Sequence, residues 1–355
     1  MISKYFARKR AVIAALAGCM IALCLVGFSA IESAWNSAVP ITQASRQIPY
    51  NQNRVGPDIN SLSLKPYPVS EKDLDGALWL GILESDWNGG ITLETPQDKI
   101  TIVATNASYS RLNLILKVFY NYSEVTFRVL GTEIMDTELL FSLDSAQKVN
   151  IPLQLPEHLI AEEAISKLTV GIFEDPQHYV ASSDTVSEDL RFSSGIALNF
   201  EINYGFDTNL SLSTDSLNDF NESAFFGFVV HPDPVVPDDG SLRLLPDTLS
   251  VRRGEEIGLS FFANGDSNGE ELGSYLIMSM LDWQQIYMDG SPYLWLNLPE
   301  GRVEVGQYAD FSIVAPDALG FYEFLALKIL QPTHQNSVKN FFPLEMIRFT
   351  IEVVQ

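Results

Sequence analysis

No cysteine occurs after Cys24, and the only two in the chain, Cys19 and Cys24, lie inside one apolar run. Whatever folds beyond that run therefore contains no disulfide and no thiolate metal site. Small secreted domains that cannot build an adequate core are usually stapled by disulfides. Their absence predicts domains large enough to stand on apolar packing, in a protein of bacterial export type. Positive charge is also scarce: 22 Lys and Arg stand against 45 Asp and Glu, for a net charge of −23. Four of those basic residues, Lys4, Arg8, Lys9 and Arg10, precede the apolar run, whereas no acid comes before Glu32. The remainder is thus more acidic still, which argues against nucleic-acid partners and favours solubility.

Signatures of chemistry are equally sparse. There is no HExxH, no GxSxG, no phosphate-cradling glycine loop and no Cys/His metal set. No cofactor and no metal is expected. Nor does any stretch of twelve or more residues carry a convincing amphipathic helical period. The best candidate for a short helix is Pro156 to Lys167, where acids come early and a Lys late.

What is present begins with Ala11 to Ile31, 21 residues without a charge. A helix of that length spans a hydrocarbon core of about 30 Å, and the basic residues before it orient the N-terminus to the cytoplasm. The letters Leu16-Ala17-Gly18-Cys19 resemble a lipobox. Lipidation at Cys19 is disfavoured, because the apolar run continues for twelve residues past it. A cleaved export signal, with a cut near Gly27-Phe28-Ser29, is the other alternative. The predicted organisation is a cytoplasmic N-terminus (1–10), a transmembrane anchor (11–31) and a polar, Pro-punctuated tether (32–75). A first β domain (76–205), an acidic Pro/Ser/Asn-rich connector (206–240) and a second β domain (241–355) follow. Under that reading the domains lie outside the cell membrane, held by a single pass.

Short alternating runs after the tether signal strands, and they recur. Ile91-Thr-Leu93, a turn, then Ile100 to Asn106 parallels Leu249-Ser-Val251, a turn, then Ile257 to Asn264. Next come alternating runs in which Leu112, Leu114, Leu116, Val118 and Tyr120 are matched with Leu276, Met278 and Met280. Val149 to Pro156 parallels Phe311 to Pro316. Leu168-Thr-Val170-Gly-Ile172 before Pro176-Gln-His178 parallels Phe324-Leu-Ala326-Leu-Lys328 before Pro332-Thr-His334. Both copies close on Phe-x-Ile, at Phe200 and Phe349. Seven or so short strands per copy predict an all-β fold of two tandem immunoglobulin-like antiparallel sandwiches behind the N-terminal helix. The apolar piece of the connector, AFFGFVV, reads as the last or an edge strand of the first copy.

Leu249-Ser-Val251-Arg-Arg-Gly254-Glu255-Glu-Ile257-Gly-Leu259-Ser-Phe261, followed by Asn264-Gly265, resembles the opening of bacterial immunoglobulin-like surface modules of the CARDB (cell-adhesion-related) type. The likeness covers about 20 residues of the second copy. In the first, Asp98-Lys99 stands where Gly-Glu is expected. Asp317-Ala-Leu-Gly320-Phe-Tyr322 is similar to the Tyr corner of that fold, and Trp283 to its core Trp. The resemblance implies accessory, adhesive or spacer roles and carries over no catalytic residue.

Candidate binding residues follow from composition and position. Trp283, Tyr293 and Trp295 would form an aromatic platform if exposed. His178 and His334 fall on equivalent F–G loops, where such modules carry recognition residues. Glu84 and Asp86 beside Trp87 form a carboxylate pair of the kind glycosidases use, although a chain with 45 acids offers many such pairs. Asp266 to Glu271 has the composition of a calcium loop without the ligand spacing. The predicted function is a non-catalytic, membrane-anchored surface protein acting in structure, adhesion or docking, with a protein or a cell-wall glycan as partner. The alternatives are an accessory ligand- or carbohydrate-binding ectodomain and a glycan-active enzyme.

Overall fold

The computed structural model describes residues 51–70, 77–85, 90–92, 99–156, 159, 165–179, 195–203, 221–223, 229–231, 248–263, 274–288, 290–297, 306–330 and 344–355. All of them belong to one compact unit, Ile48–Gln355. Strands are numbered along the chain.

In the first sandwich, one sheet runs β2 (Leu78–Ile82), β4 (Ile100–Asn106), β10 (Gln147–Gln154), β7 (Phe127–Val129), β8 (Met135–Asp136), with β1 (Tyr67–Pro68) also on β10. The facing sheet runs β3 (Gly90–Thr92), β12 (Gly195–Asn203), β11 (Ile165–Glu174), β5 (Leu112–Tyr120), β6 (Ser123–Glu124), with β9 (Glu138–Leu143) on β5. In the second sandwich, one sheet runs β13 (Asn221–Ser223), β20 (Gly306–Val314), β16 (Glu256–Ala263), β14 (Val229–His231). The other runs β15 (Thr248–Arg252), β22 (Glu345–Val354), β21 (Gly320–Leu330), β17 (Ser274–Leu281), β18 (Gln284–Gln285), with β19 (Tyr293–Asn297) on β17. Pairs are antiparallel except β3 with β12 and β15 with β22. In the first sandwich, an A-B-E-D sheet facing a G-F-C sheet is the immunoglobulin-like division; in the second, the G-F-C order and the B–E pair recur.

The internal repeat is structural. Leu168 lies opposite Tyr120 and Phe200, and Phe324 lies opposite Leu281 and Phe349. The Tyr corner is present: the Tyr322 hydroxyl donates to the Ala318 carbonyl at 2.9 Å. Asn106, in the sequence Asn106-Ala-Ser108, is wholly buried, and its amide donates to the carbonyls of Ser110 and Leu143.

Alternation explains the two inner cores. Leu114, Leu116, Val118, Val170, Ile172, Phe200 and Ile202 meet Ile100, Ile102, Ile151 and Leu153 between the sheets of the first sandwich. Ile277, Phe324, Phe349 and Ile351 meet Leu259, Phe261, Phe311 and Ile313 in the second. The match made from sequence between the two long strands is one residue out. Leu276, Met278 and Met280 point away from their own core, and their equivalents are Ile115, Lys117 and Phe119. Both strands are apolar on both faces, so alternation alone does not fix the register.

Three further expectations change. Within the supposed tether, residues 51–70 form a strap packed on the first sandwich. Ile59 and Leu64 are buried in its core, β1 pairs with β10, and the Ser142 amide donates to the Pro57 carbonyl at 2.8 Å. A Cβ on Gly56 would sit 2.3 Å from the Phe141 backbone, so the strap runs too close for any side chain there. Val229 and Val230 of AFFGFVV pair with β16, so they extend the second sandwich and not the first. Ile165 to Lys167, the end of the expected short helix, begin β11. Among the described residues no helix is long and apolar enough to cross a membrane. Residues 11–31, including Cys19, lie outside the described residues.

Candidate functional site

The polar and aromatic residues with unusual environments converge on a third apolar cluster, a seam between the two sandwiches. It forms because the G-F-C faces of both copies carry apolar residues outward as well as inward. Ile115, Phe119, Phe173 and Ala197 of the first meet Leu276, Met280, Leu325, Leu327 and Ile329 of the second. Burying such side chains contributes roughly 1.5–3 kcal/mol each.

Each copy extends a two-residue turn into this seam. Asn121 and Tyr122 have φ of 47° and 65°, and Asp282 and Trp283 have φ of 48° and 69°. These are the doubly left-handed turns whose twist suits a β-hairpin. The Asn121 amide donates to the Lys167 carbonyl at 2.8 Å, and the equivalent Asp282 amide donates to the Glu323 carbonyl at 2.6 Å. Tyr122 and Trp283 are buried at 0% and 1% exposure. Tyr122 meets Tyr293 edge-on at 6.1 Å, and Trp283 meets Phe173 at 5.6 Å, so each turn aromatic touches a ring of the other sandwich.

Behind each aromatic sits a polar residue at one equivalent position. Asn199 donates to the Tyr122 hydroxyl at 3.3 Å, and the Arg348 guanidinium lies 4.9 Å over the Trp283 ring. Arg348 is fully buried and ion-paired with Glu323. Its remaining donors reach the first sandwich, at the carbonyls of Glu174 (2.9 Å), Asp175 (3.2 Å) and His178 (2.8 Å). A buried ion is tolerated only with such complete pairing. Between the two turns, Glu124 and its counterpart Gln285 join the two copies. The Glu124 amide donates to the Gln285 side chain at 2.7 Å, and that side chain donates to the Tyr122 carbonyl at 2.7 Å.

One edge is closed by charges. Lys117, fully buried, pairs with Glu124 and lies 3.7 Å from Glu138. Arg54 of the strap binds Glu138 at 2.5 Å and the Asp282 carbonyl at 3.0 Å. The strap thus touches both copies. Burial pushes the Asp282 carboxyl up, against the opposing pull of Arg54, and Glu138 adds to the rise. Burial likewise raises the Tyr122 phenol. Glu174, at the end of β11, is pushed up to about 7 by burial, with Asp175 adding and Arg348 opposing.

The expected site residues are therefore redistributed. Trp283 and Trp295 are buried and Tyr293 is half-buried, all in the seam, so they form no exposed platform. Trp283 is not the core Trp of its own sandwich. His178 is half-buried in a loop whose carbonyl is held by Arg348, and His334 lies outside the described residues. Glu84 accepts from the Thr101 amide and hydroxyl, both at 2.7 Å, and so ties down a turn; Asp86, Trp87 and residues 266–271 lie outside the described residues. Among the described residues no group of three or more His, Cys, Asp or Glu is placed to hold a metal. Sequence reading missed Lys117, Asn199, Arg348 and Arg54; polar residues within otherwise apolar strands were the available signal for the first three.

No family model and no curated protein matches the chain. Among solved structures it is similar to red sea bream transglutaminase at 7% identity, covering 79% of this chain and 31% of that one, with a TM-score of 0.22. It is similar to the C-terminal domain of the Streptococcus agalactiae AgI/II polypeptide BspA at 11% identity, covering 78% and 100%, with a TM-score of 0.22. It is also similar to a putative membrane anchored protein of Corynebacterium diphtheriae at 11% identity, covering 79% and 59%, with a TM-score of 0.23. The chain thus spans about a third of the transglutaminase. TM-scores this low assign neither a relative nor an activity.

Proposed function

We propose that the protein is a non-catalytic, extracytoplasmic double immunoglobulin-like module, tethered to the cell membrane by its N-terminal apolar segment, that acts at the cell surface in structure, adhesion or partner docking. The observation that carries this reading is the seam. The aromatic side chains that sequence offers for a platform, Trp283, Tyr293 and Trp295, are spent on joining the two sandwiches. A hinge between domains usually has a smaller and more polar contact; this one holds a continuous apolar cluster with buried ion pairs at its margin. A body of that kind presents outer faces and end loops at fixed separation, which suits a load-bearing or presenting role. The apolar run after a basic start supports the membrane tether.

The test is protease shaving of intact cells expressing the full-length chain, followed by denaturant unfolding of the purified chain. Cleavage of the β domains on intact cells and one cooperative transition are expected. Protection of the β domains unless cells are lysed would overturn the location. Two well-separated transitions would overturn the single body.

A further inference from the structure

The outward face of the β2-β4-β10-β7-β8 sheet differs in character from the rest of this acidic chain. Register places Trp79, Thr105, Lys148 and Tyr67 in one row across β2, β4, β10 and β1. Leu80, Ile82, Ala104 and Val149 are buried, so the alternate residues of that row face outward. Trp79 is 52% exposed and Tyr67 40%. The Lys148 ammonium lies 5.8 Å over the Tyr67 ring, whose hydroxyl donates to Asn150 at 3.0 Å. Between Trp79 and exposed Leu83 stands Gly81, which places no side chain on the face, and a Cβ there would meet nothing within 4 Å. At the far end of the face Gln154 lies opposite Arg128, which is exposed.

Among the described residues, the outward strand positions of this face hold two cations and no carboxylate, in a chain where acids outnumber bases 45 to 22. Of the described acids at its margin, Glu84 lies against the face, its carboxylate bound to the amide and hydroxyl of outward-facing Thr101; Glu133 lies in the β7–β8 turn, and Asp136 lies opposite inward-facing Phe127. The equivalent strands of the second sandwich carry exposed Glu256 and Asp310 outward. Three strand spacings of about 4.8 Å put the two rings of the row roughly 14 Å apart, with hydrogen-bonding side chains between them.

We propose that this face binds an anionic polysaccharide. Sugar rings lie against Trp79 and Tyr67, sugar hydroxyls meet Thr105 and Asn150, and Lys148 and Arg128 meet carboxylates spaced along the chain. Alternating rings and hydrogen-bonding groups suit a ligand that is apolar on its faces and polar at its rim, rather than a continuous apolar protein surface. Two cations among hydrogen-bonding groups suit a carboxylated polymer charged less densely than a nucleic-acid duplex. A densely charged duplex or lipid surface would be repelled by the acids elsewhere on the chain. This goes beyond the double-module reading and does not depend on the seam.

The test is native affinity electrophoresis of the full-length chain in gels containing polygalacturonate, dextran or no polymer. Retardation by polygalacturonate that falls away at high salt is expected. Trp79→Ala and the double variant Lys148→Gln with Arg128→Gln should each weaken it by roughly tenfold or more. Glu256→Gln on the equivalent face should leave it unchanged. Circular dichroism of each variant confirms the fold. No retardation, retardation indifferent to Trp79→Ala, or binding to single-stranded DNA or anionic vesicles in place of polygalacturonate would each overturn the proposal. Loss of retardation with a single unfolding transition retained leaves the double-module reading standing, and the converse separates the two in the other direction.

Discussion

The two sandwiches set different side chains at equivalent positions of the seam. The first places Tyr122 in its turn with Asn199 behind it; the second places Trp283 with Arg348 behind it. The first keeps Lys117 where the second has Met278, and Glu124 where the second has Gln285. Because the equivalent residues Glu124 and Gln285 bond each other, a carboxylate at both positions would bring like charges together. The asymmetry instead supplies Glu124 with a neutral amide partner and lets Arg348 reach carbonyls of the other copy. Duplication provides two apolar faces of matching shape, and divergence makes them complementary rather than identical.

That comparison can be broken first at the strap. A chain beginning at residue 76, the start of the first domain as read from sequence, lacks Arg54, Ile59, Leu64 and β1. Loss of the two buried aliphatic side chains alone should destabilise it by about 3–6 kcal/mol relative to a chain beginning at Ile48. Urea denaturation measures this, and equal midpoints would show that the strap is dispensable. Next in size, Arg348→Ala removes the cation that neutralises buried Glu323, which keeps its hydrogen bond from Thr350, and should cost about 3–5 kcal/mol. The equivalent Asn199→Ala removes two neutral hydrogen bonds, one to Tyr122 and one from Thr169, and should cost about 1–3 kcal/mol. Similar costs at the two positions would contradict the asymmetry.

Smaller still is the difference between the turn aromatics when only a polar contact is removed. Tyr122→Phe keeps the ring against Tyr293 and loses the hydroxyl that accepts from Asn199, for about 1 kcal/mol. Trp283→Phe alters the packing on Phe173 and the surface under Arg348 together, and should cost more than Tyr122→Phe. A pH scan sharpens the loop contact. Glu174 has a folded-state value of about 7 against an ordinary 4.5. Between those values the folded chain binds more protons than the unfolded one, so this group's contribution makes stability fall as pH rises from about 4.5 to 7. Comparison of melting temperatures at pH 5 and 7.5 should show that decline in the wild type and a shallower one in Glu174→Gln.

The division into two β copies is legible in the spacing of short alternating runs, and Phe200 and Phe349 mark equivalent positions correctly. What alternation conceals is the outside of the G-F-C sheets. Strand β5 is buried at eight of its nine positions, and a strand apolar on both sides is the mark of a sheet covered on both sides. Lys117 breaks that run at a position where an ordinary edge strand would show alternation; its burial depends on Glu124 and Glu138, which no local pattern foretells. The strap is concealed for the opposite reason. Asn51 to Ser70 has no period because single residues, Arg54, Ile59 and Leu64, dock at separate points rather than along a stripe. The sequence predicts an aromatic platform at Trp283, Tyr293 and Trp295, which the seam covers, whereas Trp79, Tyr67, Tyr109 and Tyr287 are exposed, since strand parity cannot say which outward face a neighbour covers.

The central claim, that the seam makes one body of the two sandwiches, is tested most directly by a distance between their outer faces. Cys19 and Cys24 are the only cysteines, so their replacement by serine leaves the way clear for labels at Arg128→Cys and Glu256→Cys, both exposed. Four stacked sheets at about 10 Å spacing separate those faces by roughly 30 Å. Double electron–electron resonance on that doubly labelled chain should give one narrow distance distribution that broadens on introducing Arg348→Ala. A broad distribution in the parent chain would contradict the account.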